Sequence, residues 1–253
     1  AVVKAWDGRK PGGVAWGLGH AVVGHNRRVV YADGTSVMYG NVGKASFRNL
    51  EGWEDHAVDV LGFTDAEKKL IAAMLVVPCP SQTVEHLSQV SADYWHHVRE
   101  GLRAKHGDGL VVLGFCGPGG DVMPRPMLRN AAEQRMEKLR KLSRKQEVGR
   151  RIVQAFDETW EAVCQDIRTD AVLAHRVERF SVPMRKITEK EYQEAQSQHA
   201  SFAKRLEKSP KDSYAEGRKN WFKRTIDLYE KQHKAEFFNR LEVHVLRLGD
   251  VAI

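Results

Sequence analysis

The stretch from residue 69 to residue 121 constrains the fold more than any other part of the chain. Residues 69–77 form a compact apolar run that reads as a strand. It opens into a proline-stiffened loop at residues 78–89. From Ser91 to about Lys105 the residues Tyr94, Val98 and Leu102 recur at a spacing of four, which places them on one face of a helix. Gly107-Asp108-Gly109 breaks that helix. Residues 110–115, a short continuous apolar run of the kind found in buried strands, then empty into Cys116-Gly117-Pro118-Gly119-Gly120-Asp121. Strand, loop, helix, strand and glycine-rich loop is the alternation of an α/β domain. It predicts a mixed sheet with flanking helices, and sites at the loops that leave the carboxyl ends of strands.

The remaining chain fits around this segment. Residues 14–25 and 28–32 read as strands, with Asp33-Gly34 as a turn. Residues 56–63 read as the hairpin partner of 69–77, joined through residues 64–67. Residues 1 to about 125 are rich in strands and loops, whereas 126–236 carry helical patterns. Ile152, Phe156, Trp160, Val163 and Ile167 keep spacings of three and four. Residues 172–179 read as a strand. Thr188 with Glu191 makes a capping box. The helix it opens is expected to run to about Lys208, to be interrupted by Ser209-Pro210 and to be followed by a second helix at 214–234. These two charged helices are expected to form a protruding, exposed hairpin packed on the domain through Tyr192, Phe202, Leu206, Trp221, Ile226 and Tyr229. Residues 241–247 and Val251-Ala252-Ile253 read as closing strands around a turn at 248–250. The expectation is one incomplete domain over residues 1–253, cut at both ends.

Composition narrows the partner classes. The apolar share of 42% supports a substantial core in 253 residues. No apolar run approaches the length of a membrane span; the longest is 70–78. The net charge of +7 is compatible with nucleic acid or an anionic membrane surface. The basic residues are interleaved with Glu, however, as on the surface of a helix-rich protein. The densest basic segment, 135–151, has no aromatic residue before Phe156 and so lacks stacking platforms, which argues against nucleic acid. Cys79, Cys116 and Cys164 form no pairwise motif, and their odd count argues against a disulfide framework.

Three loops carry candidate chemistry. In residues 117–124 the glycines allow close backbone approach to a ligand, and Asp121 adds a carboxylate. The segment matches neither phosphate-loop nor dinucleotide fingerprints, so a plain strand-to-helix turn remains an equal reading. In Pro78-Cys79-Pro80-Ser81-Gln82, Cys79 reads as a nucleophile, a zinc ligand or a small buried apolar residue. In Gly24-His25-Asn26-Arg27-Arg28, an arginine could hold a carboxylate or a developing oxyanion, or sit in a surface ion pair. The histidines show neither His-x-His nor His-Glu-x-x-His spacing.

Taken in order, these segments resemble the neutral/alkaline, non-lysosomal ceramidase family. The resemblance rests on His25-Asn26-Arg27-Arg28, Asp33-Gly34 with Met38-Tyr39-Gly40, Pro78-Cys79-Pro80-Ser81-Gln82 with Val90-Ser91-Ala92-Asp93, Gly119-Gly120-Asp121-Val122-Met123-Pro124, and the closing run 245–250. It implies a zinc-dependent hydrolase of an N-acyl lipid or related amide, secreted or periplasmic and associated with a membrane surface. It implies that Arg27, beside Asn26, binds the substrate amide and the anion formed from it. Cys79 falls where a zinc-binding His sits in the family, and further zinc ligands are expected outside this chain. Gly119, Gly120 and Asp121 fall in the loop whose Ser is the family's nucleophile. Here that Ser is replaced by Met123, whose thioether has no proton to lose. The resemblance therefore implies either hydrolysis by activated water or a catalytically inactive, ceramidase-like binding protein.

Overall fold

The computed structural model describes residues 2–232 and 238–252. The chain divides into two compact units, Ala1–Ala171 and Val172–Ile253. The first contains α1 (Val2–Asp7), β1 (Gly12–His20), β2 (His25–Asn26), β3 (Arg28–Tyr31), β4 (Ser36–Met38), β5 (Phe47–Leu50), β6 (Ala57–Asp65), β7 (Leu70–Val77), α2 (Tyr94–His106), β8 (Val111–Cys116), β9 (Val122–Met123), α3 (Asn130–Arg140) and α4 (Arg144–Val163). The second contains β10 (Leu173–Pro183), α5 (Glu189–Lys208), α6 (Ser213–Gln232), β11 (Phe238–Leu248) and β12 (Val251–Ala252). The α/β class predicted from the sequence is the class observed.

The core of the first unit is a four-stranded sheet in the order β1-β6-β7-β8. β1, β6 and β7 pair antiparallel, while β7 and β8 run parallel with α2 as the crossover. Strand alternation turns Val58, Val60, Leu75, Val77 and Val112 to one face, where they are buried. The stripe Tyr94, Val98 and Leu102 of α2 and Ile152, Phe156 and Trp160 of α4 meet them in one cluster. α4 lies close to the sheet because glycines leave room: a Cβ on Gly62 would come within 2.1 Å of the Trp160 ring. α2 starts at Asp93, whose buried carboxylate accepts hydrogen bonds from Thr83 Oγ1 at 2.6 Å, the Tyr94 N–H at 2.7 Å and the Val84 N–H at 3.0 Å. These bonds hold Asp93 at φ 51°, an uncommon conformation for a residue with a side chain.

β8 corrects one expectation. Among the described residues it is the edge strand; Val112 and Gly114 face the helices, whereas Val111, Leu113 and Phe115 are about half exposed, at 52%, 46% and 48%. A continuous apolar run does not by itself distinguish a strand covered on two faces from an edge strand covered on one. α3 and α4 belong to the first unit.

In the second unit β10 and β11 pair antiparallel over eleven residues and β12 continues the sheet through a turn at Gly249, φ 58°. The capping box of Thr188 and Glu191 is present, and α5 ends at Lys208. α5 and α6 form the expected hairpin. Its aromatics pack helix against helix: the Tyr192 and Tyr229 rings stack at 4.2 Å, and those of Phe202 and Phe222 at 6.0 Å. Trp221 does not take part in burial as expected; it is 54% exposed. The expected end of this helix at Lys234, and Ile253, lie outside the described residues. No helix among the described residues is long and apolar enough to cross a membrane.

Candidate functional site

The short β2–β9 ladder joins two loops that are nearly one hundred residues apart. His25 pairs with Met123 and Asn26 with Val122. The Arg27 N–H donates to the Asp121 carbonyl at 2.8 Å, and Asn26 Nδ2 donates to Asp121 Oδ2, also at 2.8 Å. Asn26 is fully buried and is held by two more bonds: Oδ1 accepts from the Arg28 N–H and the backbone N–H donates to Glu54 Oε1, both at 2.9 Å. Asn26 therefore aims the Asp121 carboxylate.

Arg27 brings in the other loops. Its Nη2 donates to the Gly120 carbonyl at 2.8 Å, and its Nη1 donates to Gln82 Oε1 at 3.3 Å and to the Tyr39 hydroxyl. The guanidinium lies 5.2 Å from the centre of the Tyr39 ring. All these acceptors are neutral, and Arg27 Nε is buried with no partner. Arg28, next in the chain, is paired with Glu51.

The proline loop reaches the site through Gln82 rather than through Cys79. A Cβ on Gly24 would come within 2.6 Å of the Pro78 carbonyl, so the two loops are in van der Waals contact. Cys79 is fully buried; its thiol donates to the Val23 carbonyl at 3.4 Å, and its own carbonyl accepts from the Tyr94 hydroxyl. Burial pushes the thiol up to about 12, so it is protonated at neutral pH. Among the described residues no three His, Cys, Asp or Glu side chains are grouped so as to hold a metal ion. The Cys79 thiol faces the Val23 carbonyl here, and the zinc-ligand role that the resemblance implies for it would need further ligands from beyond the described residues. Gly119 packs against Cys116 Sγ and Pro80, and Gly120 stays exposed at the loop tip. Met123 is half-buried on β9.

Beneath these loops lies a charge network that sequence reasoning missed. Arg144 is buried; its Nε donates to the Pro124 carbonyl, and its Nη1 donates to Glu133 at 2.8 Å and Glu137 at 3.2 Å. Its Nη2 lies 3.5 Å from His25 Nε2, while His25 Nδ1 lies 3.2 Å from Glu54. Burial is the main cause that lowers the pKa of His25, with the Arg144 charge adding to it against the pull of Glu54. Glu147 has no exposed side-chain surface and takes Arg140, Arg150 and Arg151. Arg151 in turn donates to the Val22 carbonyl at 2.8 Å. In the sequence these charges read as a solvated helix surface. The one hint was their density at the start of α4.

No family model matches the chain, and no curated protein matches it. Solved structures of similar fold include two ceramidases. The neutral ceramidase from Pseudomonas aeruginosa is 18% identical with a TM-score of 0.48, over 73% of this chain and 28% of that one. A ceramidase complexed with C2 is 18% identical with a TM-score of 0.46, over 70% of this chain and 26% of that one. The chain thus spans little more than a quarter of the length of either.

Proposed function

We propose that the loops carrying Asn26, Arg27, Gly120 and Asp121 bind the acyl carbonyl of an amide, as part of a ceramidase-like hydrolase acting on an N-acyl lipid or related amide. One observation carries this reading: Arg27 makes every hydrogen bond to a neutral oxygen and has no carboxylate partner among the described residues. Its positive charge is therefore held in place without being neutralised, and is available to a carbonyl oxygen or the oxyanion formed from it. The Asp121 carboxylate, oriented by Asn26 on the adjoining glycine-rich loop, is an acceptor for an amide N–H or a water. Met123 supplies no nucleophile, so cleavage on this site uses water. The secreted or periplasmic setting remains part of the proposal.

Met123 also favours a second reading, binding of the same acyl group without turnover. Both are tested on the full-length protein with a panel of N-acyl sphingoid bases and fatty acids, measuring amine release and binding heat. Hydrolysis reduced about a hundredfold or more by Arg27→Ala supports the hydrolase. Binding that needs Arg27 but gives no amine supports the second reading. Turnover and binding that are both indifferent to Arg27→Ala overturn the two together.

A further inference from the structure

The α5–α6 hairpin is polarised in charge along its length. Residues 201–224, the half around the turn, contain eight Lys or Arg against three Asp or Glu, a balance of +5. The opposite half, residues 189–200 and 225–232, contains two against five, a balance of −3. The helix dipole accounts for this order in α5, where acids lead and bases follow, but not in α6, where Arg218, Lys219, Lys223 and Arg224 precede Asp227 and Glu230. Tyr192 stacked on Tyr229 and Phe202 on Phe222 fix the two helices side by side, so the separation in sequence is a separation in space.

Within the basic half the cations differ in freedom. Arg205 is paired with Asp212, Lys223 with Asp227, and the Arg218 guanidinium lies over the Trp221 and Phe222 rings. Lys204, Lys208, Lys211, Lys219 and Arg224 make no ion pair among the described residues. Four of these five are lysines, which act as flexible point charges rather than as bidentate forks. Beside them two amphipathic aromatics are open to solvent, Trp221 at 54% and Tyr214 at 64%. Lysine charge with exposed Trp and Tyr suits the interface of an anionic bilayer, where charge is diffuse and indole and phenol rings sit at headgroup level.

We infer that the basic half of the α5–α6 hairpin docks on an anionic membrane surface through Lys204, Lys208, Lys211, Tyr214 and Trp221. The contact is peripheral, since no described helix can span. It does not depend on the acyl-binding reading of Arg27. In place of base stacking and groove contacts, the interaction uses a negatively charged plane for the lysines and a headgroup layer for the two rings.

The test is sedimentation of the full chain with vesicles of phosphatidylcholine alone or mixed with phosphatidylserine, at low and high salt. Binding to the mixed vesicles only, released by high salt, is expected. Each neutralised lysine is expected to weaken it about fivefold, so that Lys204→Ala, Lys208→Ala and Lys211→Ala together abolish sedimentation. Lys190→Ala in the acidic half and Arg27→Ala are expected to leave it unchanged. Trp221→Ala, which preserves every charge, is expected to weaken binding while keeping its salt dependence. Absence of binding to the mixed vesicles, equal loss on Lys190→Ala, or displacement of the vesicles by a lower concentration of DNA or RNA would each overturn the proposal. Circular dichroism of each variant excludes loss of fold as the cause.

Discussion

Asn26 Nδ2 and Asp121 Oδ2 are 2.8 Å apart although ninety-five residues separate them in the chain. Together with the Arg27 bonds to the Asp121 and Gly120 carbonyls, this hydrogen bond ties the arginine loop to the glycine-rich loop. Because Asn26 is fully buried, its loss would strand both the Asp121 carboxylate and the Arg28 N–H. Asn26→Leu is expected to cost about 1–3 kcal/mol. Asn26→Asp is expected to cost at least as much, because it sets a carboxylate against Asp121 and Glu54. Urea unfolding of the variants checks both, and an Asn26→Asp protein as stable as the wild type would show that the loops are held some other way.

The Glu147 carboxylate links stability to pH. Burial acts to raise its pKa, but hydrogen bonds from Arg150 and Arg151 outweigh that and bring it from 4.5 to about 2. A depressed pKa means that the stabilisation is fully present above about pH 4.5 and is lost as pH falls through about 2. Glu147→Gln leaves three arginines short of their counter-charge and is expected to cost about 3 kcal/mol at neutral pH. It should also flatten the acid limb of the stability profile between those two values. Denaturant titrations at neutral and acid pH measure both effects.

The cysteines should separate by reactivity. Cys79 is fully buried with its thiol pushed up to about 12, whereas Cys116 is exposed at the end of β8 and Cys164 is partly exposed. Mass mapping after brief treatment of the native protein with iodoacetamide is expected to find label on Cys116 and Cys164 and none on Cys79. Rapid labelling of Cys79 would show that its thiol is not buried against the Val23 carbonyl.

The close approach of α4 to the sheet gives a packing test. At Gly62 an added Cβ meets the Trp160 ring at 2.1 Å, too close to be absorbed without moving the helix or the ring. Gly62→Ala is expected to destabilise by about 1–3 kcal/mol. The double variant with Trp160→Phe should recover part of that loss. A neutral Gly62→Ala would mean that α4 sits farther from β6.

Much of the local structure could be read from residue order alone. The spacing of Tyr94, Val98 and Leu102 defines the buried face of α2, Thr188 with Glu191 defines the start of α5, and Lys208 its end. Such features depend on neighbours within a turn or two, so periodicity and capping chemistry suffice to show them. The resemblance picked out the loops of Arg27, Cys79 and Asp121 as a set. Only the tertiary structure decided how they meet. It placed Gln82 rather than Cys79 beside Arg27, turned the Cys79 thiol to a backbone carbonyl and exposed half of β8. It also buried Arg144 and Glu147, which look solvated in the sequence. A thiol's orientation and the burial of a charge depend on contacts between residues far apart in the chain, and no local pattern encodes them.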